Sequence, residues 1–391
     1  MSITTSSKSH VAQHVQKIPR SGIRDFFDIV QSMSDVISLS IGEPDFVTPW
    51  HIREAAIYAL ERGKTGYTSN LGTPSLRKQI SAYIAAKHKV VYDWQTEILV
   101  AVGVSEALDI ALRAILNPGD EVLYHEPCYV SYSPSVTLAY GKPVAITTKQ
   151  SDNFVLRADD IRKALTPKTR ALMMNFPCNP TGAVMPREEL EKIAQLCIEH
   201  DLIVLSDEIY CELSYSGALP SIIEIPGMKE RTIYFNGFSK AYAMTGFRIG
   251  YVCAPPVLTE AMLRVHQYAM LCAPILSQEA AAEALKNGES AMLHMRDEYR
   301  RRRNFLVHHF NKMGLTCHEP QGAFYLFPNI TSTALTSREF AVRLLEEKKV
   351  AMVPGDAFGT SGEGFVRCSY ATAMDQLEVA VERIADFVKS R

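Results

Sequence analysis

Two strand-like runs in this 391-residue sequence end in groups that can do chemistry. Residues 202–206, Leu-Ile-Val-Leu-Ser, are continuously apolar up to the serine and pass directly into Asp207 and Glu208. Such a run fits a strand buried on both faces whose carboxyl end reaches a crevice, where acidic side chains can hold a bound cofactor. Residues 232–240, Thr-Ile-Tyr-Phe-Asn-Gly-Phe-Ser-Lys, repeat the arrangement and deliver Ser239 and Lys240. Lysine at such an edge is a nucleophile once its surroundings favour the neutral amine. Gly103, Ser105, Tyr129, Asn179, Tyr210 and Arg248 each lie at or just after a predicted sheet element as well. Taken singly these residues have bland readings: a strand-end lysine commonly snorkels to solvent, and asparagine before Pro180 reads as a turn. Nucleotide and zinc motifs are missing. No Gly-x-Gly-x-x-Gly follows a predicted strand, and neither a phosphate-binding P-loop nor His-Glu-x-x-His occurs.

The elements that must position these groups alternate along the middle of the chain. Apolar strands near 97–103, 121–126, 142–147, 170–176, 202–206 and 232–237 are separated by amphipathic segments such as 105–116 and 187–200. Strands joined through helical crossovers imply an α/β fold with a largely parallel sheet covered by helices. A short strand within 36–46 and helices from about 51 to 62 and 76 to 88 precede this region. Beyond about residue 276 come long amphipathic helices, a short helix near 338–347, a strand near 350–355, the segment 364–371 and a final helix, which suit a smaller α+β domain. The expected division is an amino-terminal arm at 1–20, a small domain from 21–48 plus 289–391, and a large cofactor-binding domain at 49–288.

Composition narrows the partners. Lys and Arg total 41 against 43 Asp and Glu, a formal charge of −2, so no field draws the chain to nucleic acid or an anionic membrane. The basic block Arg300–Arg303 reads as a solvated helix face. Eight cysteines between Cys128 and Cys368 form no Cys-x-x-Cys pair and read as buried thiols. Neither a signal-peptide core nor a membrane-length apolar stretch is evident, so the cytoplasm is the expected compartment.

Residues 237–250, Gly-Phe-Ser-Lys-Ala-Tyr-Ala-Met-Thr-Gly-Phe-Arg-Ile-Gly, resemble the lysine-attachment motif of class I and II pyridoxal-phosphate-dependent aminotransferases. Asn-Pro-Thr-Gly at 179–182 and Ser-Asp-Glu-Ile-Tyr at 206–210 stand at the family's spacing, and Gly-Glu-Pro-Asp-Phe at 42–46, Gly-Tyr-Thr at 66–68, Gly-Val-Ser-Glu-Ala-Leu at 103–108 and Val-Arg-Cys-Ser-Tyr-Ala at 366–371 match further pieces. The resemblance runs from about residue 21 to the end. It implies fold type I, with a mostly parallel seven-stranded sheet in the large domain.

The same resemblance assigns roles. Lys240 would attach covalently to pyridoxal 5'-phosphate and later move a proton at the substrate's α carbon. Asp207 would pair with the pyridine nitrogen, Tyr210 and Asn179 would hydrogen-bond the phenolic oxygen, and Tyr129 would lie over the ring. The phosphate would be held by backbone groups of Val104 and Ser105, the Ser105 and Ser239 hydroxyls and Arg248, with Tyr67 reaching in from the second subunit of a homodimer. Arg367 would grip the substrate's α-carboxylate beside Gly42 and Asn179. Gly237 departs from the aspartate aminotransferase branch, which has serine there, so one phosphate contact is missing or supplied elsewhere.

The implied reaction moves an amino group from an L-amino acid to a 2-oxo acid, with 2-oxoglutarate the expected acceptor, in two half reactions with ping-pong kinetics. Residues 21–27, 266–278 and 322–328 resemble the branch of bacterial aromatic and acetyl-diaminopimelate aminotransferases. Ile18, Ile23, Phe27, Tyr67, Phe324 and Tyr325 could line an apolar substrate site or belong to core. Aspartate, aromatic, branched-chain and acetyl-diaminopimelate substrates all stay open. The same scaffold could support a β carbon–sulfur lyase, and a noncatalytic regulatory binding protein on this fold is the alternative from another class.

Overall fold

In the computed structural model, residues 10–18, 33 and 35–391 are described. Ile23, Phe27 and the expected domain start at residue 21 lie outside them. A four-residue helix, α1 (Gln13–Gln16), and a two-residue strand, β1 (Ile37–Ser38), come first. Two helices follow, α2 (Trp50–Glu61) and α3 (Pro74–His88). The start of α3 is written locally: Pro74 occupies its first turn, and the Thr73 hydroxyl accepts from the Leu76 amide at 3.4 Å.

Alternate residues of the apolar runs point opposite ways, and in six of the next seven strands both directions are largely buried, the edge strand Lys142–Thr147 being the exception. The seven are β2 (Ile98–Ala101), β3 (Glu121–Glu126), β4 (Lys142–Thr147), β5 (Thr169–Asn175), β6 (Ile203–Asp207), β7 (Thr232–Gly237) and β8 (Gly250–Cys253). They form one sheet in the order β2-β8-β7-β6-β5-β3-β4. Strands β3 to β7 pair in parallel, while β8 runs antiparallel to both β2 and β7. Ile98, Val100, Leu172, Val204 and Tyr234 enter one core; Leu99, Ala171, Leu205, Ile233 and Phe235 enter the core on the other face. Each Val, Leu, Ile or Phe among them contributes about 1.5–3 kcal/mol by leaving water.

Crossover helices supply the covering layers: α4 (Gly103–Ile115), α5 (Tyr132–Leu138), α6 (Ala158–Ala164) and α7 (Arg187–Glu199), joined later by α8 (Pro256–Ala269) and α9 (Ile275–Asn287). Strand β8 is an addition to the sequence reading. Four apolar residues between loops carry no period that separates a strand from a buried loop.

The smaller domain contains the 24-residue helix α10 (Glu289–Lys312), then β9 (Tyr325–Leu326), α11 (Ser337–Lys348), β10 (Val350–Ala351), β11 (Val353–Pro354), β12 (Val366–Ser369) and α12 (Met374–Lys389). Strand β1 returns to pair in parallel with β10, and β12 lies between β11 and β9 in an antiparallel sheet. Leu39, Tyr299, Phe310, Leu326, Leu377 and Ile384 share its core.

The basic block on α10 corrects one expectation. Arg300 and Arg301 are exposed, but Arg302 and Arg303 are buried. Consecutive helical residues sit about 100° apart, so a run of four cannot share one face. Arg302 Nη1 donates to both carboxylate oxygens of Asp45 at 2.9 Å, and Arg303 Nη1 donates to the Pro320 carbonyl at 2.7 Å. All eight cysteines are free, six of them buried. Among the described residues no helix is long and apolar enough to cross a membrane, and no group of three or more His, Cys, Asp and Glu could hold a metal.

Candidate active site

The carboxyl ends of the parallel strands open onto a cavity of about 580 Å³. Its size falls within the range of small-molecule sites. Asp207 closes β6, and the turn beyond it carries Tyr210; Ser239 and Lys240 follow β7, Asn179 follows β5, and Tyr129 follows β3. Val104 and Ser105 form the first turn of α4, and Arg248 precedes β8, whose reversed direction brings its start to the same edge. The smaller domain contributes Gly42, Tyr325 and Arg367. Thus every residue given a cofactor or substrate contact lines this one cavity except Tyr67, which is 87% exposed. Of the apolar-site candidates Tyr325 lines it, whereas Ile18 does not and Phe324 belongs to the smaller domain's core, and Gly103 lies just behind the lining.

Lys240 Nζ donates to the Gly42 carbonyl at 2.6 Å. Burial pushes the Lys240 ammonium down to about 8; Glu43 opposes that shift, while Arg367 and Arg248 add to it. That places roughly a tenth of the amine in the neutral form at about pH 7, far more than an ordinary lysine would have. Burial drives the Asp207 carboxyl the other way, up to about 6, against hydrogen bonds from the Tyr132 hydroxyl at 2.7 Å and the Ile209 amide at 3.1 Å and the nearby Lys240 charge.

Arg367 lies on β12 and is fully enclosed, which lowers its pKa by desolvation. Its Nη1 donates to Asn179 Oδ1 at 3.0 Å and its Nη2 to the Ser40 carbonyl at 2.6 Å, while among the described residues Nε has no partner. A buried, unpaired guanidinium donor is costly unless a ligand meets it. The rings of Tyr325 and Phe358 lie 4.6 and 4.8 Å from the guanidinium carbon.

Glycines shape the opposite end. Gly103 opens α4 with φ +77°, and a Cβ there would fall 2.6 Å from Arg248 Nη2. The α4 amides and the Arg248 guanidinium thereby share one anion-sized corner. At Gly237 a Cβ would meet Gly250 Cα at 3.0 Å and the Ile249 carbonyl at 3.1 Å. Close approach of β7 to β8 thus explains why serine is missing there.

Sequence reasoning missed Tyr132 and Asn175. Tyr132 has no exposure and anchors Asp207, and Asn175 Nδ2 donates to the Asp207 carbonyl at 3.0 Å while Oδ1 accepts from the Asn179 amide at 3.0 Å. The amide of Asn175 in turn donates to His125 Nε2 at 3.2 Å. Tyr132 stands three residues after Tyr129, and only that proximity could have pointed to it.

The sequence profile of the family "Aminotransferase class I and II" matches residues 34–384. This chain belongs to that family. It is 52% identical over 380 residues to the YugH protein of Bacillus subtilis, covering 97% of this chain and 98% of that one. Over 374 residues it is 48% identical to the aspartate aminotransferase of Pyrococcus abyssi, covering 95% and 96%. A crystal structure of the aromatic aminotransferase from Pyrococcus horikoshii superposes with a TM-score of 0.90 at 48% identity, covering 94% and 99%. The chain is therefore an aminotransferase of fold type I, whose family works on amino and 2-oxo acids through pyridoxal phosphate with ping-pong turnover. The cavity fits such a group: an anion corner at Gly103 and Arg248, a buried acid at Asp207, a depressed lysine, and an unpaired guanidinium donor at the far end.

Proposed function

We propose that this aminotransferase binds pyridoxal 5'-phosphate through Lys240 and exchanges amino groups between an L-amino acid and a 2-oxo acid, with glutamate and 2-oxoglutarate as one pair. The supporting observation is the convergence of Lys240, Asp207 and Arg367 on a single cavity, with a basic corner at Arg248. When bound, the cofactor supplies a carbonyl carbon that condenses with amines and a ring that accepts the electron pair left at the α carbon. Asp207 would present a carboxylate to the ring nitrogen, and Tyr210 with Asn179 would face the phenolic oxygen. Val104, Ser105, Ser239 and Arg248 would hold the phosphate, and Tyr129 would pack on the ring.

Lys240 would act twice. Its neutral amine would hold the cofactor, and once free it would act as the base that moves the proton at the substrate's α carbon. Arg367 would receive the α-carboxylate on its unpaired Nε and adjoining Nη, beside Gly42, holding the α C–H toward Lys240. Tyr67 would serve the phosphate of a second copy, making the working unit a homodimer.

The distal substrate group is the open variable, because relatives of similar identity carry the names aspartate and aromatic aminotransferase. Borohydride reduction of the holoenzyme followed by peptide mapping is expected to leave a pyridoxyl group on Lys240. Modification of a different lysine alone would overturn the assignment. A screen of amino donors against several 2-oxo acids then identifies the pair, and failure of glutamate with every acceptor would remove it from the reading.

A further inference from the structure

We propose that Tyr325 is a positioning residue with two separable parts: its hydroxyl donates to Tyr210 and strengthens the bond Tyr210 gives the cofactor's phenolic oxygen, while its ring orients Arg367. The proposal rests on the reading of the cavity given above. Tyr325 lies on β9 and is 1% exposed, yet it lines the cavity. Its hydroxyl stands 2.8 Å from that of Tyr210, and the two rings meet edge to face at 5.7 Å and 78°. Gly42 is what leaves room for that hydroxyl, since a Cβ at this position would lie 2.7 Å from it.

Burial raises the pKa of both phenols, so each stays protonated and one must donate to the other. If Tyr325 is the donor, the Tyr210 hydrogen is left for the cavity, and a donor that itself accepts a hydrogen bond is the stronger one. The ring of Tyr325 meanwhile lies 4.6 Å from the Arg367 guanidinium carbon, a cation–π distance, in a place shielded from water. One side chain thereby touches both the group facing the cofactor and the group facing the substrate.

The two parts come apart by mutation of the holoenzyme. Tyr325→Phe keeps the ring and removes the hydroxyl. The pH midpoint of the bound cofactor's visible absorption should rise by roughly half a pH unit, because a weaker Tyr210 bond stabilises the phenolic anion less. In a Tyr210→Phe background the same change should produce no further shift. Tyr325→Leu removes the ring as well, and KM for both donor and acceptor should rise about tenfold, since both carry the carboxylate that Arg367 holds. An unmoved midpoint in Tyr325→Phe, or an equal shift without the Tyr210 hydroxyl, overturns the hydroxyl part. KM values in Tyr325→Leu equal to those in Tyr325→Phe overturn the ring part; if the leucine variant does not fold, Tyr325→Met, which also lacks the ring, replaces it with the same expectation. Wild-type protein without a cofactor band would instead sink the reading of the site itself.

Discussion

Asp207 and Glu208 are neighbours in sequence and equally buried, at 7% exposure each, yet they turn to different cavities. Asp207 faces the large one, where Lys240, Arg248 and Arg367 supply positive charge. Glu208 faces a void of about 20 Å³, room for a single water. Its Oε1 accepts from Ser206 at 3.0 Å and Ser221 at 2.5 Å, and burial raises its pKa to about 7. Nearby, Lys87 contacts Glu212 and donates to Cys211 Sγ at 3.1 Å, so its charge is already occupied. Both acids have raised pKa values, which by themselves distinguish nothing. What separates a reactive carboxyl from a structural one here is the space it faces: ligand-sized and lined by Lys240, Arg248 and Arg367 for Asp207, single-water-sized for Glu208.

The largest test of that contrast is at the two lysines. Lys240→Ala should reduce kcat/KM by on the order of 10⁴-fold or more, since attachment and proton transfer are lost together. Lys87→Ala should leave kcat/KM within about threefold and lower the melting temperature, because it strips a partner from Glu212. Next come the acids: Asp207→Asn should lower kcat by about 10²-fold through loss of charge at the ring nitrogen, whereas Glu208→Gln keeps an oxygen for both serines and should stay within about threefold. A comparable loss in both variants would erase the distinction. Smaller again, Arg367→Lys gives up the planar fork and should raise KM for donor and acceptor about 30-fold, near 2 kcal/mol, with the cofactor still bound.

Those large effects sit at positions readable in sequence, for a physical reason. Parallel strands buried on both faces must be written as apolar runs, and the first polar residues after them fall at the sheet edge where ligands bind, as with Asp207 after β6 and Lys240 after β7. The motif at 237–250 then ordered those candidates into a site. Residues that act through others left no such mark: Tyr132 and Asn175 carry their roles in contacts across the fold, 75 residues apart for Tyr132 and Asp207. Arg302 was misread because a run of like charges was treated as one surface, although its bond to Asp45 spans 257 residues. Tyr67, exposed, stays outside the cavity of its own chain.

The smallest expected effect is on stability against pH, and it separates the two acids once more. A carboxyl whose folded pKa lies above its ordinary value is protonated in the folded state while the unfolded chain has already released the proton. Stability is therefore fully present below the ordinary pKa and declines as pH rises through the folded one. For Glu208 and Glu212 the decline runs from about 4.5 to about 7, and for Asp207 in the cofactor-free protein from 3.8 to about 6. Each group contributes a slope of at most about 1.4 kcal/mol per pH unit. Urea midpoints measured from pH 4.5 to 7.5 should fall in the cofactor-free protein, and Glu208→Gln should flatten the upper part of the curve. Saturation with pyridoxal phosphate should remove the Asp207 portion alone, because a cationic ring nitrogen beside that carboxylate lowers its pKa and reverses the sign of its contribution. A Glu208→Gln variant whose slope still responds to cofactor would keep the two acids independent; one whose response disappears would show that they titrate as a single buried system.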